Sequence, residues 1–204
     1  MRVILITLVI LTLLFSSASA IQRVKDTWDF GVRAGFTLTE HHGCDDCEED
    51  MKTGFTGGFF AEYKASPNFS VQPEFLFVMK GWGIANDNMN LNYLEFPVLF
   101  KLKIAGSAGF TPAFYAGPAG AILTSASKNG LDYDQLFKSL DFGFTFGIGA
   151  DFVAGTGKII IDARYTLGLT DIIDNRELWE LAYPWTEVPV MKNSALSFSI
   201  GFGW

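Results

Sequence analysis

Leu140-Asp141-Phe142-Gly143-Phe144-Thr145-Phe146-Gly147-Ile148-Gly149-Ala150-Asp151-Phe152 is the stretch on which the fold turns. Leu140, Phe142, Phe144, Phe146, Ile148, Ala150 and Phe152 alternate without a break against Asp141, Gly143, Thr145, Gly147, Gly149 and Asp151. A period of two puts each set on its own face of a β-strand. A helix would scatter both sets around its circumference, and each interior glycine would cost it about 1 kcal/mol. One face of this strand is therefore large and apolar, and the other is small or charged.

The same pattern recurs along the chain. Leu196, Phe198, Ile200, Phe202 and Trp204 alternate with Ser197, Ser199, Gly201 and Gly203, and Phe30 to Leu38 repeats the motif. Gly54 to Lys64, Phe69 to Lys80, Asn92 to Ile104, Phe110 to Ser125 and Lys158 to Thr170 complete a set of eight segments. The Gly- and Ala-rich segment 110–125 leaves its phase open. Pro73, Pro97, Pro112 and Pro118 lie inside these runs, where each lacks a ladder donor. The connections alternate in length: 65–68, 105–109 and 155–157 are short, whereas 40–53, 81–91, 126–139 and 171–193 are long. An even strand number with short turns at one end and long loops at the other is the pattern of an all-β, eight-stranded antiparallel up-and-down transmembrane barrel.

Volume decides which face looks outward. A barrel of eight strands has an interior just wide enough to be filled by side chains. The chain has 20 Phe in 204 residues, most of them in the apolar set, far too much bulk for that interior. In water an outward face of this kind would exceed any ordinary apolar patch, so its medium is lipid. A secreted lipocalin-like carrier, with an apolar ligand inside, is the alternative that the strand count alone permits. With 18% charged residues and a formal charge of −7, the chain fits neither a disordered segment nor a nucleic-acid binder.

The first twenty residues read as a cleaved secretory signal peptide: Met1-Arg2, an apolar run from Val3 to Phe15, then Ala18-Ser19-Ala20 as the small-x-small cleavage site. Residues 21–28 form a short lead and 29–204 the barrel. The Gly31-x-x-x-Gly35-Phe36 opening, Gln72-Pro73-Glu74, Leu91-Asn92-Tyr93-Leu94-Glu95-Phe96-Pro97, Ala116-Gly117-Pro118 and the terminal Phe202-Gly203-Trp204 together resemble the small outer-membrane β-barrel domain family, porin-family or PorT-like, similar in architecture to OmpX and the OmpA barrel. The resemblance implies an outer-membrane location. It also implies that the last strand, ending in Trp204, is read by the outer-membrane assembly machinery, although Phe is the commoner terminal residue there.

Arg33, Glu62, Gln72, Glu74, Asp162 and Arg164 fall on the polar face, where a narrow lumen requires charges to be paired. A plug of ion pairs is expected there rather than a selective pore. His41, His42, Cys44 and Cys47 lie in an acidic segment; a Cys44–Cys47 disulfide suits an exported protein better than a zinc or copper site. No catalytic set stands out, no cofactor is implied, and Gly155-Thr156-Gly157-Lys158 reads as a hairpin turn rather than a phosphate loop. The last long loop holds Trp179, Tyr183 and Trp185, an aromatic content suited either to contacting a partner or to covering the barrel mouth. The expected activity is structural, adhesive or docking, and non-enzymatic. A lipid-modifying enzyme using His41 or His42 is the less favoured alternative.

Overall fold

The structure, a computed structural model, describes residues 27–42, 52–84, 87–104, 106, 109–175, 177–178 and 190–204. Strands β1 (Trp28–His42), β2 (Lys52–Ser66), β3 (Phe69–Ile84), β4 (Asp87–Lys103) and β5 (Phe110–Lys128) follow one another around a ring. A two-residue strand, β6 (Leu131–Asp132), folds back on the end of β5. The ring continues with β7 (Leu140–Ala154), β8 (Gly157–Gly168) and β9 (Lys192–Gly203). Every ladder is antiparallel between sequential barrel strands, and β9 closes on β1 from Gly31↔Gly203 to His42↔Lys192. Eight strands thus form a closed cylinder, which leaves no unpaired edge along its wall.

The two faces separate as the alternation requires. Phe59 and Phe142 are 58% and 55% exposed on the outside, whereas Thr37 and Glu62 on the inside are 0% exposed. Outward rings pair across neighbouring strands: Phe36 with Phe198 at 5.3 Å, Phe75 with Phe96 at 5.2 Å, and Phe146 with Tyr165 at 5.6 Å. At the short-turn end Trp28 packs on Tyr63 at 5.0 Å, and Phe202 stacks on Trp204 at 6.3 Å. The phase of 110–125 is now fixed. Phe110, Phe114, Pro118 and Ile122 face out, and Ala113, Tyr115, Ala119 and Ala121 face in. The prolines interrupt hydrogen bonding without moving the register: β3 and β4 pair at Pro73↔Val98 and again at Leu76↔Glu95.

Glycines on the inner face make room for two large rings. A Cβ on Gly147 would sit 2.7 Å from Oη of Tyr115, and one on Gly31 would collide with the Phe60 ring. The small residues that alternate with Phe are therefore the volume in which Phe60 and Tyr115 lie.

Two of the long loops are shorter than the sequence suggested. The β3–β4 ladder runs on through Lys80↔Leu91 to Ile84↔Asp87, so most of segment 81–91 is hairpin. Met89 and Leu91 on this ribbon are buried, at 2% and 0% exposure, so its inner face is apolar where most of the lumen is polar, although its backbone stays paired. In segment 126–139, β5 extends to Lys128 and turns through Asn129-Gly130, whose φ values are 52° and 81°. Asn-Gly is the pair that a tight type I′ hairpin prefers. The signal peptide 1–20 lies outside the described residues, as do Cys44, Cys47, Trp179, Tyr183 and Trp185.

Candidate functional site in the lumen and at its mouth

The polar face brings three charge clusters into the lumen, one above another. The middle one is a quartet. Arg33, on β1, donates from Nη1 to Glu74 at 2.5 Å and from Nη2 to Asp162. Arg164, on β8, donates from Nη1 to Glu74 at 2.7 Å and from Nε to Asp162 at 3.1 Å. Gln72 Nε2, Tyr115 Oη and Ser199 Oγ supply further hydrogen bonds to the two acids, at 2.6, 3.0 and 3.0 Å. The Arg33 guanidinium lies 5.8 Å from the Phe60 ring centroid, and that of Arg164 lies 5.4 Å from Tyr115. Two cations, two anions and two ring faces give a neutral, hydrogen-bonded layer across the cylinder.

The second cluster lies at the short-turn end. Glu62 is the hub, bound by Lys103 and Lys158 and by the Ser70 hydroxyl at 2.6 Å. Lys101 and Lys158 reach Asp151 at 3.0 and 3.2 Å, and Lys158 and Lys64 reach Asp29 at 3.0 and 2.6 Å. Four lysines face three acids, so this layer carries one positive charge in excess. The third cluster lies towards the long loops. Lys80 pairs with Glu95 at 2.5 Å and sits 5.2 Å from the Tyr93 ring centroid. Asp141 shares this level, so among the described residues one negative charge is in excess here.

Above the charges the mouth is filled by an apolar plug. Leu136 and Phe137, next to a short 3-10 turn (Asp134–Leu136), pack with Ile172, Ile173 and Met191. The upper barrel wall receives them with Met89, Leu91, Tyr93, Ala121 and Ala126. Phe137 bridges to Ile173, and Lys138 N donates to the Ile172 carbonyl at 2.8 Å. Asp171 Oδ1 accepts from the backbone of Ile173 at 3.3 Å and of Met191 at 3.1 Å. Both roots of the last long loop are thereby tied to each other and to the wall.

Of the residues nominated from sequence, Arg33, Glu74, Asp162 and Arg164 share the central quartet, whereas Glu62 belongs to the separate lysine layer. His41 and His42 lie in β1 opposite Asn193 and Lys192. The sequence reading missed Lys101, Lys103, Asp151 and Lys158 as one cluster, although strict alternation on β4, β7 and β8 already places them inward. It weighed a last loop covering the mouth but did not nominate the plug residues, whose signal is the apolar pairs Leu136-Phe137 and Ile172-Ile173 inside polar loops.

A closed eight-stranded cylinder with an apolar exterior, a charge-filled lumen and long loops at one end defines the class of outer-membrane β-barrels. The chain belongs to the outer membrane protein beta-barrel domain family, whose model matches residues 17–174, more than half of its length. Its exterior therefore lies in the outer-membrane bilayer. Neisserial surface protein A (NspA) superposes with a TM-score of 0.55 at 12% identity, over 84% of this chain and 95% of that one. Ail, the attachment invasion locus protein of Yersinia pestis, gives 0.49 at 13% identity, over 87% and 99%. The outer membrane enzyme PagL gives 0.45 at 15% identity, over 86% and 97%. At such identities the likeness speaks to fold alone. No curated protein sequence matches the chain.

Proposed function

We propose that the protein is a non-enzymatic outer-membrane barrel whose work is done by its long loops, as adhesion or partner docking. The observation that carries this reading is the filled lumen: three layers of charge and an apolar plug occupy the space that a pore would need. What the molecule offers to a partner is then its outer end, where Trp179, Tyr183 and Trp185 supply large rings suited to a contact surface. The roots of segment 171–193 support the reading, since at the barrel mouth Ile172 N donates to the Met191 carbonyl and Met191 N to the Asp171 carboxylate.

The rest of the reading rests on the sequence. Residues 1–20 are removed on export, 21–28 lead into the barrel, Cys44 and Cys47 form a disulfide in the acidic loop, and the strand ending at Trp204 is handed to the assembly machinery. Partner capture on intact cells, with residues 176–189 present or replaced by a short Gly-Ser bridge, tests the docking role. Capture lost with the loop supports it, and capture retained refutes it. A lipid-hydrolysis assay on wild type and on His41→Ala/His42→Ala tests the enzymatic alternative; turnover in the wild type would overturn the non-enzymatic reading.

A further inference from the structure

We propose that the upper lumen is a binding site for one dehydrated monovalent cation of the size of K⁺, held between Asp141 and Glu95. A cavity of about 10 Å³ lies there, lined by Lys80, Glu95, Asp141, Thr166 and Asn193, with small residues of β5, β7 and β8 leaving the room. All five polar side chains belong to residues more than nine-tenths buried. A space of this size takes one water-sized particle.

The charge around that space does not balance. The Lys80 ammonium is committed to Glu95 at 2.5 Å and to the face of Tyr93. Asp141 has no ion pair among the described residues; it accepts from the Thr170 hydroxyl and, at 3.4 Å, from Asn193 Nδ2. Two further lysines of the long-loop half are engaged elsewhere. Lys52 donates to the Met89 carbonyl and to Asn90 Oδ1, both at 2.5 Å, and Lys138 donates to the Asp171 carbonyl at 2.8 Å. The quartet below is neutral and has no charge to lend. A buried carboxylate without a counter-charge is strongly disfavoured, and a cation in the adjoining space removes the imbalance.

The chemistry of the lining selects the ion. Carboxylate, amide and hydroxyl oxygens favour a hard cation. Two carboxylates, one already neutralised by Lys80, leave one negative charge, which matches a monovalent ion rather than a divalent one. Occupancy would also link β4, β7 and β9 just beneath the plug, because Asp141 holds Thr170 and Asn193 at the two roots of the last loop. This site stands whether or not that loop docks a partner.

The test is a crystal of the detergent-folded barrel in which Tl⁺ replaces K⁺, read by anomalous difference density. The account expects a peak in contact with Asp141 in the wild type, its loss in Asp141→Asn, and a stronger peak in Lys80→Met, where the internal cation is removed. It also expects the wild-type urea midpoint to be higher in KCl than in choline chloride at equal ionic strength, with that difference lost in Asp141→Asn. An empty or water-filled cavity in the wild type, or a peak undiminished in Asp141→Asn, would overturn it. Should Asp141→Asn fail to fold, Lys80→Met decides alone: occupancy equal to or below wild type refutes the site.

Discussion

Glu74→Gln is the substitution that puts the lumenal plug under greatest strain. The Glu74 carboxylate accepts from Arg33 at 2.5 Å, from Arg164 at 2.7 and 3.4 Å, and from Gln72 at 2.6 Å, and the residue is 6% exposed. The amide keeps the shape but removes the charge, turning a neutral quartet into one with a net charge of +1. Each charged hydrogen bond in such a setting is worth about 1.5–3 kcal/mol. Breaking a buried ion pair from one side costs about 3–5 kcal/mol, because the surviving cation is left without compensation. Asp162 still holds both guanidinium groups, so the expected loss lies near the lower end, about 3 kcal/mol. The double variant Glu74→Gln/Arg164→Met restores neutrality and should be less destabilised than the sum of its single changes. Reversible urea unfolding in lipid vesicles, followed by tryptophan fluorescence and by gel mobility of the folded form, measures both. A Glu74→Gln barrel within 1 kcal/mol of wild type, or strictly additive variants, would show that the quartet is not a cooperative plug.

Further outcomes follow from the same geometry. Phe146→Arg places a charge on the lipid face midway along β7 and should cost about 2–4 kcal/mol in the same unfolding assay. Gly147→Val should cost about 1–3 kcal/mol or more, since its Cβ would fall 2.5 Å from the Ala163 carbonyl oxygen and 2.7 Å from Tyr115 Oη, pushing on the neighbouring strand and displacing the phenol from Asp162; Gly130→Val, at a turn glycine with nothing within 4 Å, should instead suffer only from its φ of 81°. Ile172→Ala removes a fully buried plug residue and should open the mouth locally by about 2 kcal/mol or more, seen as faster protease cleavage of the last loop with the barrel core still protected. Planar bilayers containing the wild type or Glu74→Gln should show no steady single-channel conductance, because the lysine layer and the apolar plug remain on either side of the quartet.

How much of this was legible in the sequence depends on where the physics is local. Between Leu140 and Phe152 alternation reveals the strand and its two faces, and the bulk of the Phe set, too large for an eight-stranded interior, then decides which face meets lipid. The same logic reaches the central quartet, because a charge on an inward position of an eight-stranded cylinder must find another charge. It fails at both ends. Glu62 is grouped with Lys103 and Lys158 rather than with the arginines because of strand stagger, which no single strand encodes. The β3–β4 extension is hidden because its inward residues Met89 and Leu91 are apolar and so break the polar-inside pattern that marks the lumen. The plug is hidden for a different reason: Leu136, Phe137, Ile172 and Ile173 become a core only when two segments distant in sequence meet over the mouth. Phe60 and Tyr115 sit inside because glycines on neighbouring strands leave them room, a pairing visible only once the register is known.

The central claim is that the aromatic face meets hydrocarbon and the small polar face fills the cylinder. Single cysteines placed in turn from 140 to 152, with Cys44 and Cys47 replaced by serine, can be spin-labelled in bilayers. Their collision with lipid-soluble oxygen and with a water-soluble nickel chelate is then read by paramagnetic resonance. The account predicts high oxygen and low nickel accessibility at 142, 144, 146 and 148, and low accessibility to both at 143, 145, 147 and 149. Nickel reaching the second set would reveal a water-filled channel, and oxygen favouring it over the first would turn the barrel inside out.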